Sequence, residues 1–122
     1  MVDADALRRL ALALPEAVDE SEGDRPCFTV GGKGFAWAYL KRPAPKAPRQ
    51  PQPGMIAVRC SLERKEMLIE ALPAAFFDDD HFRGYRAVLV RLDQVDEDDL
   101  AGVLREAWRM CAPKRLLQGA GR

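Results

Sequence analysis

Residues 27–40 read CFTVGGKGFAWAYL, two apolar β-prone runs on either side of Gly-Gly-Lys-Gly. A link this short joins antiparallel neighbours only, because a parallel partner needs a crossover of a dozen residues or more. The spacing predicts a two-residue type II′ turn at Gly32-Lys33, with glycine supplying the positive φ of the first turn position. That register pairs Val30 with Phe35 and Phe28 with Trp37, and paired residues share a sheet face. Phe28, Val30, Phe35, Trp37 and Tyr39 then form an aromatic face expected in the core, with a base-stacking platform as the alternative. Cys27, Thr29, Ala36, Ala38 and Leu40 are expected to look outward.

The flanks extend this pair into a domain. DADALRRLALALPE opens a helix capped by Asp3 or Asp5, with Leu7, Leu10, Ala11 and Leu14 at helical spacing, and Pro15 ends it. Residues 16–26 read as an acidic loop. KRPAPKAPRQPQPG, residues 41–54, holds five prolines and four Lys/Arg with no acid. Proline lacks an N–H and fixes φ, so an extended, mobile loop between two strands is expected. In MIAVRC, Ile56, Val58 and Cys60 point inward, while Met55, Ala57 and Arg59 point away. Ser61 caps a second helix that Pro73 stops. In RAVLVRL, Val88, Val90 and Leu92 point inward, and Ala87, Leu89 and Arg91 outward. Asp96 caps a third helix whose stripe is Leu100, Val103, Leu104, Ala107, Trp108 and Cys111, followed by the basic tail KRLLQGAGR. The expected architecture is one α+β domain over residues 1–122. It has two layers, an antiparallel sheet with helices on one face, in the order α-β-β-β-α-β-β-α.

Composition narrows the function classes. Formal net charge is zero, so no global field draws the chain to DNA or to anionic lipid. The charge is blocked, however. Residues 1–24 hold seven acids and two arginines, a net of −5, and residues 25–65 hold nine Lys/Arg and one acid, a net of +8. Cys27, Cys60 and Cys111 are odd in number and lack a C-x-x-C, as expected of reduced thiols in a cytoplasmic protein. No stretch reads as a signal peptide or membrane span. His81 is the single histidine. One imidazole beside Asp79 makes neither a closed metal site nor an oriented acid–base pair, so neither catalysis nor a cofactor is expected. GGKG lacks the spacing and context of a phosphate-binding loop and reads as a turn.

RPCFTVGGKGFAWAYL, KRPAPKAPRQPQPGMIAVRC, FFDDDHFRGYRAVLVRLDQVDEDDL and AWRMCAPKRL, in that order, resemble the MmcQ/YjbR family. Arg86 departs from its pattern, which has an uncharged residue after the tyrosine. The resemblance implies a fold similar to type III secretion chaperones and the label DNA-binding; it brings no catalytic motif. DNA contact would be non-specific and salt-sensitive, through Lys33, Lys41, Arg42, Lys46, Arg49, Arg83, Arg86, Lys114 and Arg115. The alternative is a protein-interaction or small-ligand module, or a homodimer, using an open sheet face with Arg59, Arg91 and His81 as contacts.

Overall fold

The computed structural model describes residues 1–120, so only the last two residues of the expected tail lie outside the described residues. Its elements are α1 (Ala4–Leu12), β1 (Val18–Asp19), β2 (Cys27–Val30), β3 (Lys33–Lys41), β4 (Gln50–Arg59), α2 (Leu62–Ala71), β5 (Phe76–Phe77), β6 (Ala87–Arg91), α3 (Glu97–Cys111) and α4 (Lys114–Ala120). The strands form one antiparallel sheet in the order β1-β2-β3-β4-β6-β5. The expected α+β architecture is present. Two stretches read as irregular are ordered differently: residues 18–19 pair with β2 as an edge strand, and the basic tail is helical in α4.

The helix boundaries follow local chemistry. Asp3, Ser61 and Asp96 each accept a hydrogen bond from a backbone N–H of the first turn, satisfying donors that have no intrahelical partner. The carboxylates of Glu97, Asp98 and Asp99 sit in the first turn of α3, where the helix dipole favours negative charge.

The β2–β3 hairpin corrects the expected register. Val30 pairs with Lys33, so the turn residues are Gly31 and Gly32, both at positive φ (59° and 80°). A type I′ turn requires positive φ at both central positions, and only this glycine pair meets that without strain. The ladder then shifts between Phe28 and Thr29: Thr29 pairs with Gly34 but Phe28 with Ala36, leaving Phe35 as the extra residue of a bulge. One inserted residue sends every later side chain to the other face. Phe35 and Ala36 therefore both join the main core, while Trp37 and Tyr39 belong to the opposite face. The aromatic face expected to be continuous is split in two.

The proline-rich stretch also departs from expectation. The irregular part is residues 42–49; Gln50–Gly54 belong to β4, with Lys41 paired to Gln50 and Leu40 to Pro51. Strand β4 meets β6 only from Met55 onward. Its first half thus has one free edge, where a proline's missing N–H costs no ladder bond.

Two apolar clusters result. The larger lies between the sheet and the helices and joins Phe28, Val30, Ile56, Val58, Val88 and Val90 to Leu7, Leu68, Leu100, Leu104 and Trp108. The smaller lies on the other face and consists of Tyr39, Ala57, Phe82, Ala87 and Leu89, with Trp37, Met55 and Phe77 packed against it. The sheet face expected to be open is therefore roofed. Ala57, Ala87 and Leu89 are fully buried, and Phe82 places the roof in residues 78–85 rather than in the proline-rich loop.

Candidate functional site

The stretch DDDHFRGY folds over the sheet because two remote side chains anchor it. Lys65, on α2, is buried, with 4% of its surface exposed. Its ammonium donates to the carbonyls of Phe82 (2.7 Å) and Tyr85 (3.1 Å) and lies 3.1 Å from Asp78 Oδ1. A buried ammonium is tolerable only when its donors are met in this way. From the sheet, the Tyr39 hydroxyl donates to Asp79 Oδ2 (2.5 Å), and Asp79 Oδ1 accepts from the Phe82 N–H (2.7 Å). Gly84 sits at φ 78°, a backbone state that side-chain-bearing residues resist.

The Tyr39–Asp79 pair is electrostatically poised. Burial, helped by the hydrogen bond to Asp79 and its charge, pushes the Tyr39 hydroxyl up to about 12. For Asp79, burial acts upward, but the Tyr39 hydroxyl, the Phe82 N–H and His81 together hold it below the usual carboxylate value. The lowered Asp79 contributes stability that is present above its unfolded pKa of about 3.9 and lost as pH falls through its folded value. The raised Tyr39 contributes stability that is full below about pH 10 and lost as pH rises through its folded value. Tyr39→Phe is therefore expected to weaken the pH dependence of stability in both windows. Urea midpoints between pH 2 and 4 and between pH 10 and 12 measure this; an unchanged profile would show the pair to be uncoupled from folding.

Beside the roof lies a cleft of about 510 Å³, lined by Cys27, Gly34, Trp37, Ala38, Leu40, Arg49, Arg59, His81, Phe82 and Tyr85. Among the described residues no carboxylate lines it, whereas two arginines and the histidine do. The Arg59 guanidinium lies over the Trp37 ring, 5.3 Å from its centroid, and its Nε donates to Gly34 O (3.0 Å). Stacking, that bond and the neighbouring Cys111 thiol fix the plane of the fork, whose terminal nitrogens have no carbonyl or carboxylate partner among the described residues. An oriented guanidinium over an aromatic face suits bidentate recognition of a carboxylate or phosphate. His81 is exposed at the rim, edge-on to Phe82 at 5.6 Å.

The structure groups three of the twelve expected contact residues here: Arg49, Arg59 and His81. Arg91 lies elsewhere, with its guanidinium 4.0 Å over Phe77 and Nη1 donating to Ala74 O. The remaining expected cations are exposed but scattered. Lys33 and Lys41 stand at opposite ends of the nine-residue β3, about 26 Å apart at the usual strand rise. Lys114 and Arg115 follow Pro113, which borders Gly31 at the hairpin tip. Arg115 is engaged by Glu16 through two bonds of 2.7 Å, and Arg83 by Asp80 at 2.8 Å. Arg42 donates to Ala47 O within its own loop, and Arg86 O accepts from the Cys60 N–H.

Two residues that shape the candidate site escape a sequence reading. Trp37 was assigned to the core because the bulge at Phe35 has no local signature. Lys65 did leave a signal: it precedes Leu68 and Ile69 by three and four residues, so a charge stands on the apolar stripe of α2. The cysteines divide likewise. Cys60 and Cys111 are core residues, and burial pushes the Cys60 thiol up to about 11. Cys27 is half-buried at the cleft. Among the described residues, no helix is long and apolar enough to cross a membrane.

Comparison with known proteins agrees with this fold. The chain is 36% identical over 128 residues to the uncharacterized protein Mb2600 of Mycobacterium bovis and to the uncharacterized protein Rv2570 of Mycobacterium tuberculosis. Each match covers 97% of this chain and 95% of the relative. The crystal structure of Deinococcus radiodurans protein DR2400, a DUF419 domain protein, superposes with a TM-score of 0.65 at 22% identity. It covers 90% of this chain and 78% of that one, a likeness of fold. The YjbR family model matches residues 12–110, a span containing every strand of the sheet and the whole cleft, and the chain belongs to the YjbR family.

Proposed function

We propose that this domain binds a small anionic ligand in the cleft between the sheet and its roof. The ligand is a carboxylate or phosphate carried on a planar or apolar body. The observation that carries the reading is Arg59 stacked on Trp37 inside a carboxylate-free cleft, with Arg49 and His81 at its edge. A volume of about 510 Å³ falls within the range of small-molecule sites, roughly 300–1,000 Å³. The anion would meet the fork of Arg59, and the apolar body would lie against Trp37, Leu40 and Phe82. The role is read as binding: His81 stands exposed between Phe82 and the Asp79 carboxylate, which is itself engaged by the Tyr39 hydroxyl and the Phe82 N–H. Three free thiols suit a reducing, cytoplasmic setting.

Nucleic-acid binding is the weaker reading. Its expected contacts are spread over opposite ends of the sheet, and two of the arginines are already held by carboxylates. A labelled duplex is accordingly expected to bind weakly at low salt and without detectable affinity at physiological salt.

Trp37 supplies the test of the cleft. The other tryptophan, Trp108, is buried, with its indole N–H bonded to Pro15 O at 2.9 Å, so ligand-dependent quenching should come from Trp37 alone. Titration with phenyl phosphate and benzoate is expected to quench wild-type fluorescence saturably and leave Trp37→Phe unchanged. Benzyl alcohol, which keeps the ring and lacks the charge, should not compete. Equal quenching by the neutral compound, or none by either anion, would remove the proposal.

A further inference from the structure

A second groove, of about 460 Å³, lies on the helix side of the sheet, between the start of α1, residues 19–26 and the first half of β4. Its floor is apolar, with Phe28, Ala38 and Ile56, and its rim is acidic. Asp3, Asp5, Asp19 and Asp24 line it against one cation, Arg8, which is itself paired with Asp19 at 2.8 Å. The same molecule carries the opposite chemistry on an arm. Residues 41–49, KRPAPKAPR, hold four Lys/Arg, three prolines and no acid. The segment is a turned loop held by its own bonds, Ala47 N–H to Ala44 O (3.1 Å) and Arg42 to Ala47 O (2.8 Å), so its cations are displayed on a preformed knob and docking orders little new chain.

We infer that the basic arm at residues 41–49 docks into the acid-rimmed groove of a second copy of this chain, forming a two-fold dimer. The arm cannot easily serve its own groove. Its base is closed by the Lys41–Gln50 and Leu40–Pro51 pairs, and none of residues 41–49 lines the groove, although Pro51, Gln52 and Pro53 do. The arm therefore leaves from the groove's edge, and its last residue, Arg49, lines the first cleft instead. Arm and groove being neighbours, a two-fold axis beside β4 makes the exchange reciprocal, as an isologous interface requires. Two contacts close together, so each raises the effective concentration of the other. The four cations of the arm and the four aspartates of the groove rim become the two halves of one complementary surface. This dimer differs from one formed through the sheet face, which the roof occupies.

A charge exchange tests it. Lys41, Lys46, Asp5 and Asp24 are all exposed, so reversing them spares the core; circular dichroism confirms the fold. In sedimentation at low salt, wild type is expected to be dimeric, with salt weakening the association. The arm variant Lys41→Glu/Lys46→Glu and the groove variant Asp5→Lys/Asp24→Lys are each expected to dissociate roughly tenfold or more readily. An equimolar mixture of the two variants restores both complementary contacts and is expected to form a heterodimer. Wild type remaining monomeric, either variant dimerising as wild type does, or a mixture that fails to associate would each overturn the inference.

Discussion

Lys65→Met is expected to cost about 2–4 kcal/mol of stability and to loosen residues 78–85 far more than the rest of the chain. The side chain is buried, and its ammonium meets the carbonyls of Phe82 and Tyr85 and the Asp78 carboxylate. Methionine fills a similar volume but leaves those acceptors without their donor, and an unmet buried acceptor costs about 1–3 kcal/mol. Asp78 is 30% exposed and regains water, which keeps the total below that of a fully enclosed ion pair. The loss also spreads to the smaller cluster, since Phe82 is the roof residue packed over Ala57 and Leu89. Urea denaturation gives the stability change, and amide hydrogen exchange locates it. Uniform loss across the chain would show that Lys65 supports the fold in general rather than the roof.

Arg59→Ala is expected to reduce affinity for the anionic aromatic probes by about 10- to 100-fold. A hydrogen bond to a charged group contributes about 1.5–3 kcal/mol, and every 1.4 kcal/mol is about tenfold in affinity. Truncation also removes the cation held over Trp37 and the bond to Gly34 O, so the plane on which the anion is read is lost. Arg59→Lys keeps the charge without the flat fork and is expected to fall between wild type and alanine. Calorimetric titration of the three proteins with one probe separates these contributions. A lysine variant as weak as alanine would assign the recognition to geometry, and one equal to wild type would assign it to charge alone. An alanine variant of undiminished affinity would place the anion elsewhere.

These two residues mark how much of the site can be read from the chain. Arg59 was expected on the far side of the sheet from the helices, because Ile56, Val58 and Cys60 alternate with it, and there it lies. Arg91 was expected beside it. The β4–β6 register puts Arg59 opposite Ala87 and Arg91 opposite Met55, at opposite ends of the ladder, and Phe77 claims the Arg91 guanidinium. DDDHFRGY has the look of a plain connection between β5 and β6. It is that, and it is also a roof, because its partners Tyr39 and Lys65 come from distant parts of the chain.

Period and punctuation sufficed for α1, α2 and α3, their caps, the antiparallel pairing of β2 with β3 and the inward valines of β6. Each depends on contacts within a few residues, where spacing and residue type carry the signal. The face of Trp37 and Tyr39, the closed sheet face, the strand made from prolines and the cleft lay beyond local reading. A bulge changes sides for one extra residue, a free edge forgives a missing N–H, and a buried lysine becomes acceptable only where remote carbonyls converge. Those balances are struck between segments far apart in the chain, and they come into being only as the sheet and helices pack.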